Sequence, residues 1–254
     1  MNNDDFYIGY LEKAPAPVGR FTRTVVISLF VLTAGIALLA VTGQKAFLPS
    51  TFEFLQYQTF TGTFHSHPYP MLQVMESTTV GGVPTYQHYY LVKEGKFGTQ
   101  DLAATYEGKR VTLEGSRIYR DNQEMIEIKA GTLQLDEGES PLPKAGAQSL
   151  GTFTLRGEIV DSKCFLGVMN PGSEKPHRAC ATRCISGGIP PLFVVRDEAG
   201  NLSYLQLQAT NGSTVNQDVL DMVAEPVEIT GEVLQLENIL ILQADPATYL
   251  RLNS

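Results

Sequence analysis

From Thr24 to Gln44 the chain carries no charged residue, and the run lies between Arg23 and Lys45. About twenty apolar residues at 1.5 Å rise are enough to cross a ~30 Å hydrocarbon core. A helix buried in a globular protein would show a polar face, and this run shows none. A cleaved signal peptide is the stronger rival. Against it stand the leading segment with Asp4, Asp5 and Glu12 and the length of the run. No small-x-small site follows either, Val41-Thr42-Gly43 being the nearest approach. The sequence therefore predicts one spanning helix at 24–44 behind a cytoplasmic N-terminal segment, 1–23. Lys13, Arg20 and Arg23 precede the span and Lys45 lies close behind it, so the positive-inside bias keeps the N-terminus in the cytoplasm. The roughly 210 residues that follow would face the periplasm of a bacterial inner membrane.

That length holds one large domain or two small ones. The formal charge of −8 argues against nucleic acid as a partner, because phosphate binding needs a basic face. Cysteine is limited to Cys164, Cys180 and Cys184, too few for a disulfide scaffold. In an oxidising compartment an odd count leaves one thiol over unless a metal or another chain takes it.

Beyond Thr51 the pattern is strand-like, with short runs of Val, Ile, Thr, Tyr and Phe broken by Gly, Asn and Asp. Residues 137–149 lie in a stretch rich in Pro, Gly and Ser with no apolar periodicity, and read as a linker between segments 51–136 and 150–254. The two segments look like one unit written twice. Phe60-Thr61-Gly62-Thr63-Phe64 parallels Leu155-Arg156-Gly157-Glu158-Ile159, and Val111-Thr112-Leu113-Glu114-Gly115 parallels Val227-Glu228-Ile229-Thr230-Gly231. Leu91 to Lys96 parallels Val194 to Gly200, and Met125 to Ile128 parallels Ile239 to Leu242. The second copy is longer, and part of its excess holds the cysteines. A glycine where a strand bends, a hairpin, a V-x-[LI]-x-G strand and a closing strand suggest two tandem OB-like β-barrels in a mainly β chain.

The cysteine region runs from Asp161 to Pro191. Pro176 would open a short helix and Gly187-Gly188 would close it. On that helix His177, Cys180 and Cys184 stand at i, i+3 and i+7, one stripe down one face. Cys164 leaves the preceding strand and would return to the same place. Three readings compete: a structural disulfide from Cys164 to Cys180 or Cys184, a Zn or Cu site made by Cys164, His177, Cys180 and Cys184, and a redox pair of Cys180 and Cys184. A disulfide between Cys180 and Cys184 is poorly placed, since side chains at i and i+4 lie one above the other on a helix. The spacing is also C-x-x-x-C, not the C-x-x-C of thioredoxin-like enzymes.

Asp161-x-x-Cys164 at a strand end, then Cys180-x-x-x-Cys184 with Gly188 shortly after, then Phe193-Val194-Val195 and Val227 to Gly231, resemble a group of uncharacterised secreted bacterial OB-like domains. The resemblance covers the second half of the chain. It implies a fold and a compartment, and no activity. One anchor plus an external OB-like barrel is also similar to the haem chaperone of cytochrome c maturation, which carries haem on a histidine in its tail. Here the tail after Asp245 has Tyr249 and no histidine, so that likeness stops at architecture.

His65 and His67, at i and i+2, would share a strand face as a weak metal pair, and His88 reads as strand packing. Phosphate loops, nucleophile elbows, zincin helices and haem-attachment motifs are all missing from the sequence. The expectation is a membrane-anchored, non-catalytic accessory or binding subunit beside a larger membrane complex. The alternatives are a periplasmic Cu or Zn carrier using Cys164, His177, Cys180 and Cys184, and a thiol oxidoreductase using Cys180 and Cys184.

Overall fold

The computed structural model describes residues 15–43, 49–76, 84–138, 140–143 and 146–252. The chain forms two compact units, Met1–Phe47 and Leu48–Ser254. In the first, helix α1 (Ala16–Thr42) follows Pro15 and carries a proline in its first turn, where a missing N–H costs nothing. None of its residues is buried, and by length and composition it is apolar enough to cross a membrane. The helix begins before the expected Thr24, with Arg20 and Arg23 inside it, because helical geometry continues through polar residues that flank an apolar run. Lys13, Gln44 and Lys45 lie outside the described residues.

The second unit is two closed five-stranded barrels. The first uses β1 (Thr51–Phe52), β2 (Gln58–His65), β3 (Met71–Met75), β4 (Tyr86–Val92), the short helix α2 (Ala103–Tyr106), β5 (Arg110–Arg120), β6 (Gln123–Ile128) and β7 (Gln134–Leu135). The second uses β8 (Gln148–Asp161), helix α3 (Glu174–Ser186), β9 (Pro191–Arg196), β10 (Leu202–Gln208), β11 (Pro226–Leu236), β12 (Ile239–Gln243) and β13 (Leu250–Arg251). In the first barrel β5-β2-β3-β4-β6 closes by β5–β6 pairing, with β4 and β6 parallel. In the second β11-β8-β9-β10-β12 closes by β11–β12 pairing, with β10 and β12 parallel. Both are the OB-like closure expected from sequence.

The duplication extends to register. Gly62 faces Val111 and Gln58 faces Gly115 in one barrel; Gly157 faces Val227 and Phe153 faces Gly231 in the other. Carried round the ladders, the first core of Phe64, Leu72, Leu91, Val111, Leu113 and Ile126 falls on Ile159, Phe193, Leu207, Val227, Ile229 and Leu242 of the second. One sequence match needs correcting. Leu91 lies on the strand that pairs in parallel with the closing strand, and its counterpart is Leu207 on β10, not Val194 on β9. A charged Gly turn can follow any hairpin strand, whereas the pairing partner is a non-local choice that the turn does not encode. The closing strands match with Met125 on Ile241 rather than on Ile239.

Strand β8 starts at Gln148, inside the stretch 137–149 expected to be linker. Part of that stretch is tied to the first barrel: the Leu142 N–H donates to Thr63 Oγ1 at 2.7 Å and Gln73 Nε2 donates to Pro143 O at 3.1 Å. The barrels also share a third apolar cluster, in which Met71, Tyr90, Ile118 and Met125 meet Val160, Phe165, Leu192, Tyr204 and Ile241. Strand β5 serves both cores. Val111 and Leu113 face its own barrel, two successive buried residues at Gly115-Ser116 change the phase, and Ile118 then faces the shared cluster. Tyr69 of the first barrel is fully buried and donates its hydroxyl to Leu207 O of the second at 3.1 Å.

Candidate functional site

The cysteines lie between the first and second strands of the second barrel, β8 and β9, in a loop that OB folds use for binding. Asp161 ends β8 fully buried, and its two oxygens have different tasks. Oδ1 accepts the backbone N–H of Cys164 at 2.8 Å and starts the π-helical turn Cys164–Val168. Oδ2 meets His177 Nε2, itself buried, at 3.0 Å. Helix α3 ends where the sequence places its stop, at Gly187 and Gly188, the latter with φ of +96°. Within α3, Ala181 and Ile185 turn into the second barrel's core, while Cys184 joins the shared cluster.

The three sulfurs converge, all within 4.8 Å of one another, with Cys164 Sγ and Cys180 Sγ 3.9 Å apart. The cysteines are unbridged. Cys164 and Cys184 are buried and Cys180 is half-buried. His177 does not complete a single set of four. It groups with Asp161 and Cys164, so the expected ligands resolve into two overlapping triads that share Cys164.

The first barrel supplies a residue that sequence reading did not single out. Lys96, in the loop after β4, places Nζ 2.6 Å from Cys180 Sγ and 3.6 Å from Cys184 Sγ. That loop is docked on the end of α3. The Gly98 N–H donates to Gly187 O at 3.0 Å, and Gln100 Nε2 donates to Gly188 O at 2.6 Å. Lys163, buried one residue before Cys164, reaches back from the other side. Its Nζ donates to Lys93 O at 2.8 Å and Gly95 O at 2.7 Å and pairs with Glu127. No short-range motif marks Lys96, because its meeting with Cys180 depends on how two barrels pack. Lys163 stands inside the Asp161-x-x-Cys164 pattern, and a charged residue among strand-end residues was the available signal.

The electrostatics separate the sulfurs. Cys164 is pushed well above the ordinary thiol range by its hydrogen bond with Cys184, by burial and by the Asp161 carboxylate. Cys184 is lowered by the same hydrogen bond, and Lys96 adds to the effect. Of the two, Cys184 is therefore the sulfur that gives up its proton more readily. Lys96 is held above its ordinary range, first by the contact with Cys180.

The other histidines stay apart from this centre. His65 Nε2 bonds Gln73 Oε1 at 2.9 Å and His67 Nδ1 bonds Ser66 Oγ at 2.7 Å. Each ring has its own partner, and among the described residues these two do not enter a metal-like cluster. His88 is buried in β4, as expected of strand packing.

No known family model matches the chain, and no curated protein matches it. Among solved structures it is similar to a deletion mutant of the single-stranded DNA-binding protein from Thermus aquaticus. The likeness covers 79% of this chain and 95% of that one at 14% identity and a TM-score of 0.25. A likeness at that level carries no argument about fold or function, and the barrel assignment stands on strand pairing.

Proposed function

We propose that the chain is a membrane-anchored, non-catalytic binding subunit, held on the periplasmic side beside a larger membrane complex, and that its ligand is a soft metal ion, Zn²⁺ or Cu⁺. The observation that carries the reading is the convergence of Cys164, Cys180 and Cys184. Two thiolates on one ion at ~2.3 Å stand roughly 3.7–4.0 Å apart in tetrahedral or trigonal geometry. The 3.9 Å between Cys164 and Cys180 suits that edge. Three thiolates around a mono- or divalent ion leave net negative charge, and the Lys96 ammonium offsets it. His177 gives one ring nitrogen to Asp161, the partner a metal-bound histidine commonly has, which leaves the other nitrogen for an ion. The apolar α1 supports the anchor.

The chain purified in detergent under reducing conditions, without chelator, is expected to carry close to one Zn or Cu. Cys180→Ser and Cys184→Ser should lose it, and Asp161→Asn should weaken it by about 10–100-fold. Elemental analysis and competition with a chromophoric chelator measure both. The nearness of the same two sulfurs, non-bonded at 3.9 Å, favours a second reading in oxidising conditions, a Cys164–Cys180 disulfide. Metal-free protein with those two sulfurs bridged by mass mapping, and with Cys184 labelling only after unfolding, would replace the metal reading with that one.

A further inference from the structure

Lys96 and Cys180 are closer than a hydrogen bond between nitrogen and sulfur allows. An N–H···O bond spans roughly 2.7–3.2 Å, and sulfur is larger than oxygen, so an N–H···S contact is longer still. At 2.6 Å the Nζ–Sγ pair lies inside that contact distance, yet far outside a direct N–S bond. One bridging atom between nitrogen and sulfur gives a separation of this size. The same nitrogen meets the same element at Cys184 at 3.6 Å, an ordinary contact, so the short distance belongs to one sulfur of the pair.

The surroundings hold Lys96 in place. The loop that bears it is fastened to α3 through Gly98 and Gln100, and Lys163 binds its carbonyls at Lys93 and Gly95 from within. Cys180 and Lys96 are partly open to solvent, whereas Cys164 and Cys184 are buried, so a small oxidant reaches Cys180 first.

We infer that Lys96 and Cys180 form an oxygen-bridged cross-link, Nζ–O–Sγ, made by hydrogen peroxide and undone by thiol reductant, which locks the first barrel onto α3 of the second. The chemistry balances in two steps. One peroxide converts the Cys180 thiol to a sulfenic acid with loss of one water: an S–O bond forms, the peroxide O–O bond breaks, and sulfur gives up two electrons. A second peroxide oxidises the Lys96 amine onto that oxygen with loss of two waters. In that step an N–O bond forms, one N–H and the sulfenic O–H break, and nitrogen gives up two electrons. Dithiol reduction supplies four electrons and four protons and returns amine, thiol and one water. The link takes Cys180 out of any ligand set, yet it does not depend on the metal reading, because it needs only the Lys96–Cys180 pair.

The test uses the full chain in detergent, reduced and stripped of metal, then exposed to dilute hydrogen peroxide, digested and mapped by mass. The expected product joins the Lys96 peptide to the Cys180 peptide, heavier than their sum by one oxygen less two hydrogens, and dithiothreitol releases both. Cys184→Ser should still form it, and Lys96→Arg, which keeps the charge and lacks the amine, should not. Three products overturn the inference: a Cys164–Cys180 disulfide, a Lys96–Cys180 link without the added oxygen, or Cys180 oxidised with Lys96 free. The mapping is made on the wild-type chain, so it decides the matter even where a variant fails to fold. Metal binding by the reduced protein is measured separately, so either reading can fail alone.

Discussion

His88 shows how burial of one side chain becomes a pH dependence. Burial pushes its imidazole down to about 4, with His65 acting in the same direction and Asn238 opposing. An unfolded histidine titrates near ~6.5, so from there down to about pH 4 the unfolded chain holds the extra proton. Stability is full above that window and is lost as pH falls through it, by about 2 kcal/mol at pH 5. Denaturant titration of fragment 49–252 at pH 7.5 and pH 5 should show that loss, and His88→Gln should remove it; parallel losses in both proteins would acquit His88. Lys163 makes the complementary case of a buried charge with every donor used. Lys163→Met leaves the Lys93 and Gly95 carbonyls and the Glu127 carboxylate without that donor, and breaking a buried pair costs about 3–5 kcal/mol. A loss under about 1 kcal/mol in the same titration would mean that water replaces the ammonium easily.

Strand bends belong to the element scale, and the duplication makes them testable in pairs. A Cβ on Gly62 would run into the backbone oxygen of Gln73, and one on Gly157 into that of Val194, which occupy matching places in the two barrels. Gly62→Ala and Gly157→Ala are each expected to cost about 1–3 kcal/mol, since neighbouring backbone cannot yield as a side chain can. Gly146→Ala, with nothing near its Cβ, should stay within about 0.5 kcal/mol of wild type. A neutral Gly157→Ala would show that β8 and β9 can part without harm. These glycines were legible beforehand because each sits in an early strand that recurs, in the same order, ahead of a V-x-[LI]-x-G strand. The true partner of Leu91 was not, because two strands with similar local pattern compete for one place and only ladder closure chooses between them.

For the whole molecule, the shared cluster decides how the barrels unfold. Met71, Tyr90 and Met125 would be stripped of apolar neighbours if the second barrel opened alone, and each large side chain buried there contributes about 1.5–3 kcal/mol. Fragment 49–252 is therefore expected to melt in one calorimetric transition. Two resolved transitions would show that the seam is weak and that segments 51–136 and 150–254 behave as independent domains. The apolar helix is a separate matter, and the proposed anchoring is tested in cells. A reporter active only outside the cytoplasm, fused after Ser254, should be active, given Arg20 and Arg23 at the start of the apolar helix. Activity of a cytoplasm-only reporter at that point would reverse the topology.

The sequence by itself determined the features set by local pattern: an uncharged run long enough to span a bilayer, strands of matching design in two copies, glycines at their bends, and α3 stopping at Gly187-Gly188. Each follows from neighbours in the chain, through rise per residue, alternation or positive φ, and needs no distant partner. Tertiary structure alone decided what those elements do together. It fused two barrels through one apolar cluster, turned His177 toward Asp161 instead of toward all three sulfurs, and set Lys96 against Cys180. Those meetings join residues far apart in sequence, and their geometry is fixed by ladder register and barrel packing, which short-range spacing does not encode.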